Sequence, residues 1–141
     1  MENRLLYLRY MFSCLNGLIS IISAENFILF KLDGSEDSNR SLFFLTRIID
    51  KRYFKYGNSV KIELCVGDLI EDFILPVFYI IRFGSEEVID SLIENFEHHM
   101  THVNFMEGYS LYGIFNELPS EKGFKRYLRG YKFNRLIKKD I

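Results

Sequence analysis

The clearest periodic pattern in the chain lies over residues 85–102. There Val88, Ile89, Leu92, Ile93, Phe96 and Met100, continued by Val103, recur at the three- and four-residue spacing that gathers side chains on one side of a helix. Ser85 is a favourable N-cap, Glu86 and Glu87 suit the positive end of the helix dipole, and histidines collect at the negative end. Asp90, Glu94 and Glu97 then fall on the solvent side. A different period governs residues 60–66, where Val60, Ile62, Leu64 and Val66 alternate with Lys61, Glu63 and Cys65, and this predicts a strand. The almost wholly apolar run 77–83 predicts a central strand buried on both faces.

Elsewhere the pattern is less decisive. In residues 2–15, Leu5, Leu8, Phe12 and Leu15 share one helical face, and Gly17 suits the left-handed position after a helix end. Leu6, Leu8, Tyr10, Phe12 and Cys14 also alternate, however, and Asn16-Gly17 is a hairpin signal, so a helix is favoured with a hairpin as the alternative. Residues 19–22 and 26–32 read as two short strands around Ala24-Glu25. Residues 34–41 read as a polar loop, and 42–54 as a helix through Leu45, Ile48, Ile49 and Arg52, with a strand as the alternative. Asp68 can cap a short helical turn running to Phe73, which Pro76 ends. Residues 109–115 read as a strand, and Phe124, Leu128 and Tyr131 predict a last helix in which Gly130 is a weak point. Helices and strands without a strict βαβ rhythm predict a single α+β domain over 1–141. Its mostly antiparallel sheet would be covered by the amphipathic helix 85–102, with helices at both termini.

Charge adds an asymmetry that the total of −1 conceals. Residues 121–141 hold eight basic residues against two acids, a net +6, so the remaining ten bases and 17 acids leave the first 120 residues at −7. A chain so divided can offer an acidic face to one partner and a basic end to another. With 48% apolar and 26% charged residues the composition is globular, not disordered, and the 14 Phe and 9 Tyr can build a sizeable core. Two cysteines, Cys14 and Cys65, are too few for a disulfide framework and read as buried free thiols in a reducing compartment, with a bridge between them left open. The uncharged stretch 10–24 has some signal-peptide character, but Glu2, the Asn16-Gly17 interruption and Ile22 near the would-be cleavage site oppose it. It is also too short to span a bilayer, so a cytoplasmic protein without membrane attachment is expected.

Candidate chemistry is sparse. Glu94, His98 and His102 recur every four residues and could offer donors to a metal, but no further ligand is indicated. Their simpler reading is a favourable helix end, so no metal or cofactor is expected. Nucleophile elbows, phosphate loops, dinucleotide fingerprints and Cys-x-x-Cys are all missing from the sequence, which argues against an enzyme. In the basic segment 121–141, Phe124, Tyr127, Tyr131 and Phe133 interleave with Lys125, Arg126, Arg129, Lys132 and Arg135. That mixture suits single-stranded nucleic acid, aromatics stacking on bases and cations meeting phosphates. Arg129-Gly130-Tyr131-Lys132-Phe133 echoes part of an RNA-recognition motif but departs from it at Lys132, Asn134 and Leu136.

The acids form the other candidate surface. Glu86, Glu87, Asp90, Glu94 and Glu97 line one helix face, and Asp68, Glu71 and Asp72 make a second patch, together suited to a cationic partner. Tyr109 and Tyr112 are candidate aromatic anchors. In being small, single-domain, aromatic-rich, free of motifs and acidic in its main body, the chain resembles the small bacterial immunity proteins, including those of contact-dependent growth inhibition. The resemblance implies a non-enzymatic cytoplasmic inhibitor that binds a cognate protein toxin, such as a nuclease, and occludes its active site. Two alternatives are a nucleic-acid-binding accessory protein using the basic segment, and a secretion chaperone, which would be a dimer.

Overall fold

The computed structural model describes residues 2–49, 60–66, 69–70, 73–74, 77–102 and 111–139. The elements run α1 (Glu2–Ser13), β1 (Leu18–Ala24), β2 (Phe27–Leu32), α2 (Glu36–Ile48), β3 (Val60–Val66), β4 (Leu69–Ile70), β5 (Phe73–Ile74), β6 (Val77–Phe83), α3 (Glu86–His102), α4 (Leu111–Ile114) and α5 (Glu121–Lys139). Four strands form an antiparallel sheet in the order β1-β2-β6-β3, and helices pack on it, so the fold is α+β as expected.

The helical reading of the N-terminus holds. Leu8, Met11, Phe12 and Leu15 are fully buried, and Leu6, Tyr10 and Cys14 nearly so. α1 packs against β1, α3 and α5, so it is apolar on most sides, and that is why its sequence also shows alternation. Gly17, at φ +80°, turns the chain from the helix into β1.

Four expectations are corrected. α2 begins at Glu36, inside the segment read as a polar loop. The Ser35 hydroxyl accepts from Ser38 N at 3.2 Å, Asp33 accepts from Ser35 N at 2.9 Å, and Arg40 reaches Glu36 at 3.0 Å, so the polar residues build a helix start. The bonds from Ser35 hold the Asp33 carboxyl below its usual range. The helical turn expected after Asp68 is instead a short ribbon, with Leu69 opposite Ile74 and Ile70 opposite Phe73. A two-residue interval is the natural hairpin spacing. The strand expected over 109–115 is replaced at its described positions by α4 and by Phe115, which bridges to Leu15. Short apolar runs of this kind carry no decisive period.

The fourth correction bears on function. β6 is central, as expected, but it is buried on one face only. Ile81 and Phe83 are buried, whereas Phe78 and Ile80 are half-buried and Arg82 is exposed. Antiparallel neighbours need no crossover helices, so the second face of such a sheet is not obliged to be covered. On the covered face Phe12, Phe30, Phe44, Phe96 and Phe115 form an aromatic core, with ring centroids 5.2–6.3 Å apart. Asn95, buried in α3, donates to the Ile48 carbonyl at 3.2 Å and ties α3 to the end of α2.

α5 is capped by Ser120, whose hydroxyl accepts from Gly123 N at 3.0 Å. The Tyr10 hydroxyl accepts from Ser120 N at 3.1 Å, and a Cβ on Gly123 would lie 2.2 Å from that oxygen, so this close approach needs glycine. The helix runs on through Gly130 to Lys139.

Candidate functional site

The periodicity of α3 places Glu86, Glu87, Glu94 and Glu97 on its exposed side, with Asp90 half-buried beside them. The five do not form one free stripe. Arg4 of α1 forms an ion pair with Asp90, and the Tyr7 hydroxyl donates to Glu97 Oε1 at 3.4 Å. Burial, with the Glu97 charge adding to it, pushes the Tyr7 hydroxyl above its ordinary pKa. Two of the acids therefore hold α3 against α1. Asp68, Glu71 and Asp72 lie outside the described residues, as does Tyr109, while Tyr112 falls within α4.

Glu86 takes part in a feature the sequence did not indicate. A cavity of about 500 Å³ opens where the Glu25-Asn26 turn between β1 and β2 meets the start of α3. Leu5, Phe83 and Ile89 supply its apolar walls, and Glu25, Asn26, Ser85 and Glu86 its polar rim; among the described residues no basic side chain lines it. The Asn26 carbonyl accepts from Phe83 N at 3.0 Å, which fixes the turn against the end of β6. Ser85 Oγ donates to Glu87 at 3.3 Å. Glu25 could not be picked out beforehand, because only the hairpin brings it beside Glu86.

The less covered sheet face carries a second apolar surface. By register, Ile22, Leu29 and Ile80 form a row across β1, β2 and β6 that ends at Glu63 of β3. Beside it Phe27 stands opposite Arg82, whose guanidinium lies 5.9 Å from the ring centroid and donates to Glu63 at 2.9 Å. Ile22 is 55% exposed.

In α5, Lys122, Lys125, Arg126 and Arg129 are exposed, and Lys132 and Arg135 follow along the same helix. Lys125 pairs with Glu121 at 3.5 Å and Arg126 with Glu117 at 2.5 Å. Phe124 and Tyr127 pack on α1, with centroids 5.0–5.6 Å from Tyr7 or Tyr10, so these two rings are engaged and not displayed for stacking on bases.

His99 is buried, edge-on to Phe44 at 6.4 Å, while His98 is exposed. Among the described residues no three His, Cys, Asp or Glu side chains gather closely enough to hold a metal, and no helix is long and apolar enough to cross a membrane. Cys14 is a buried free thiol. Burial raises its pKa, partly opposed by a hydrogen bond from Tyr10, so little thiolate forms at neutral pH. In a Cys65→Ser variant, Cys14 should react with Ellman's reagent at least about tenfold more slowly in the native protein than in urea. Equal rates would show the thiol to be open. No family model, curated protein or solved structure matches the chain.

Proposed function

We propose that this chain is a non-enzymatic inhibitor of the immunity-protein kind, which binds a cationic protein partner such as a nuclease toxin and covers its active site. One observation carries the reading: the apolar cavity between Leu5, Phe83 and Ile89 is rimmed by Glu25 and Glu86, with Glu87 adjoining and no base in its lining among the described residues. Lysine and arginine side chains match such a surface, since their methylene stems cover apolar walls while their heads meet carboxylates. Nuclease active sites are cationic because they bind phosphates, so the same acids that would recognise such a partner would also compete with its substrate.

The test is capture with the tagged chain from its native lysate after nuclease treatment, followed by binding kinetics on the protein recovered. Glu86→Lys/Glu87→Lys is expected to weaken binding roughly 10- to 100-fold and to slow association most at low salt. Asp90 is unsuited to this experiment, because reversing it also breaks the pair with Arg4. An affinity unchanged by the double substitution would refute the acidic-surface assignment. Recovery of nucleic acid alone, lost as salt rises and abolished by Lys125, Arg126 and Arg129 substitutions, would favour the basic helix instead.

A further inference from the structure

Most arginines whose side chains the structure describes meet a carboxylate: Arg4 pairs with Asp90, Arg40 with Glu36, Arg82 with Glu63 and Arg126 with Glu117. Arg9 does not. It is half-buried on α1, its Nη2 donates to the Ile21 carbonyl at 2.7 Å, and its Nε is fully buried with no hydrogen-bond partner. A half-buried guanidinium without a counter-charge gains from an anion that reaches the part of it lining a cavity.

The surroundings of Arg9 have the shape for one. A cavity of about 320 Å³ lies between α1, the edge strand β1 and α5, lined beside Arg9 by Ser13, Leu18, Ile19, Ser20, Ile21 and Tyr127. Among the described residues no acidic side chain lines it. The two-residue turn makes Ala24 and Phe27 the hydrogen-bonded pair of the hairpin, and strict alternation from there to Ile21 leaves that residue's N–H and C=O pointing to the outer edge. The carbonyl takes Arg9; the amide beside it is a donor facing the same side. An irregularity between Leu18 and Ser20 breaks the register at this point, and Ile19 is 58% exposed there.

We propose that this cavity is a carboxylate-binding site, in which Arg9 is the cation and the Ile21 N–H is the supporting donor. A carboxylate is favoured over phosphate on charge: the lining supplies one cation, so a dianion would remain half uncompensated. Its two planar oxygens also match the fork of a guanidinium. The volume is at the lower end for ligand cavities, about 300 Å³, so the occupant is a short aliphatic acid or a single acidic side chain. This site shares no lining residue with the acidic cavity and does not depend on the inhibitor reading.

Amide and arginine Nε–H spectra of the ¹⁵N-labelled protein test it, with sodium butyrate, N-acetylglutamate α-amide, butyramide and inorganic phosphate as probes at constant ionic strength. Saturable shifts are expected at the Arg9 Nε–H and the Ser20 and Ile21 amides with the two carboxylates, and not with butyramide. Tighter binding of butyrate would identify a free acid as the occupant, and tighter binding of the glutamate derivative an acidic side chain; both support the site. Arg9→Gln should abolish saturation. Should that variant fail to fold, Ile19→Glu places a competing carboxylate at an exposed position and should weaken butyrate binding about tenfold or more. Shifts that grow linearly without saturating, an equal response to butyramide, stronger saturation by phosphate, or binding untouched by either variant would each overturn the proposal.

Discussion

Phe96→Ala should destabilise the protein by about 3–5 kcal/mol, a large part of the 5–15 kcal/mol that about holds a domain folded. Phe96 is fully buried and meets Phe44 at 5.2 Å, Phe12 at 5.9 Å and Phe115 at 5.9 Å, all near edge-to-face. Those partners belong to α2, α1 and the segment after α4, so one ring joins three parts of the chain to α3. Alanine forfeits the burial of the ring and leaves a void that the three remaining phenylalanines, held by their own elements, fill only in part. The melting temperature should fall by roughly 10 °C or more, and the urea midpoint should drop with an unchanged slope. Phe96→Leu should recover much of the loss, because it restores most of the volume without the edge-to-face geometry. A loss below about 1 kcal/mol for Phe96→Ala would mean that these rings do not pack as a unit.

How far such features can be read beforehand depends on whether they are local. α3 and β3 are legible because a single period runs through each without interruption. The start of α2 is not, although Ser35 is a good cap and Glu36 and Asp37 follow it. Its first turns are polar in composition, and nothing local says that Ser38 and Ser41 are buried. The one-sided burial of β6 is not legible for a related reason: a continuous apolar run reports hydrophobicity and not which face is covered. The surface acids show the same division. Their place on one side of α3 follows from a helix period, but the engagement of Asp90 by Arg4 and of Glu97 by Tyr7 is tertiary. Glu25 and Arg9 had no local signal at all. One is a turn residue that gains meaning beside Glu86, and the other is an ordinary helix charge until β1 closes over it.

The Asn16-Gly17 corner was legible as a turn, yet its importance lies in what surrounds it, and Gly17→Ala should expose that. Gly17 has φ +80°, where an L side chain is strained by about 1–2 kcal/mol. An added Cβ would also lie 2.5 Å from Ser38 Cβ, 2.6 Å from its Cα and 2.7 Å from its N. Two of those atoms are backbone in the first turn of α2, which is fixed by the Ser35 cap and cannot move aside alone. The corner is held from other directions as well: Gly17 O accepts from Asp33 N at 2.7 Å, Asn16 N donates to Ile114 O at 2.8 Å, and Ser41 Oγ donates to Asn16 O at 2.6 Å. α1, β1, α2 and α4 therefore meet there, and relief of the collision must displace at least one of them. A loss above about 2 kcal/mol is expected. Gly34→Ala is the matched control, because Gly34 has the same φ of +80° with nothing within 4 Å of the added Cβ, so it should show the backbone strain alone. The difference between the two, read from paired thermal or urea melts, isolates the collision with α2. Equal losses would mean that α2 yields freely at its first turn, and the corner would then be an ordinary left-handed turn with no part in joining the helices to the sheet.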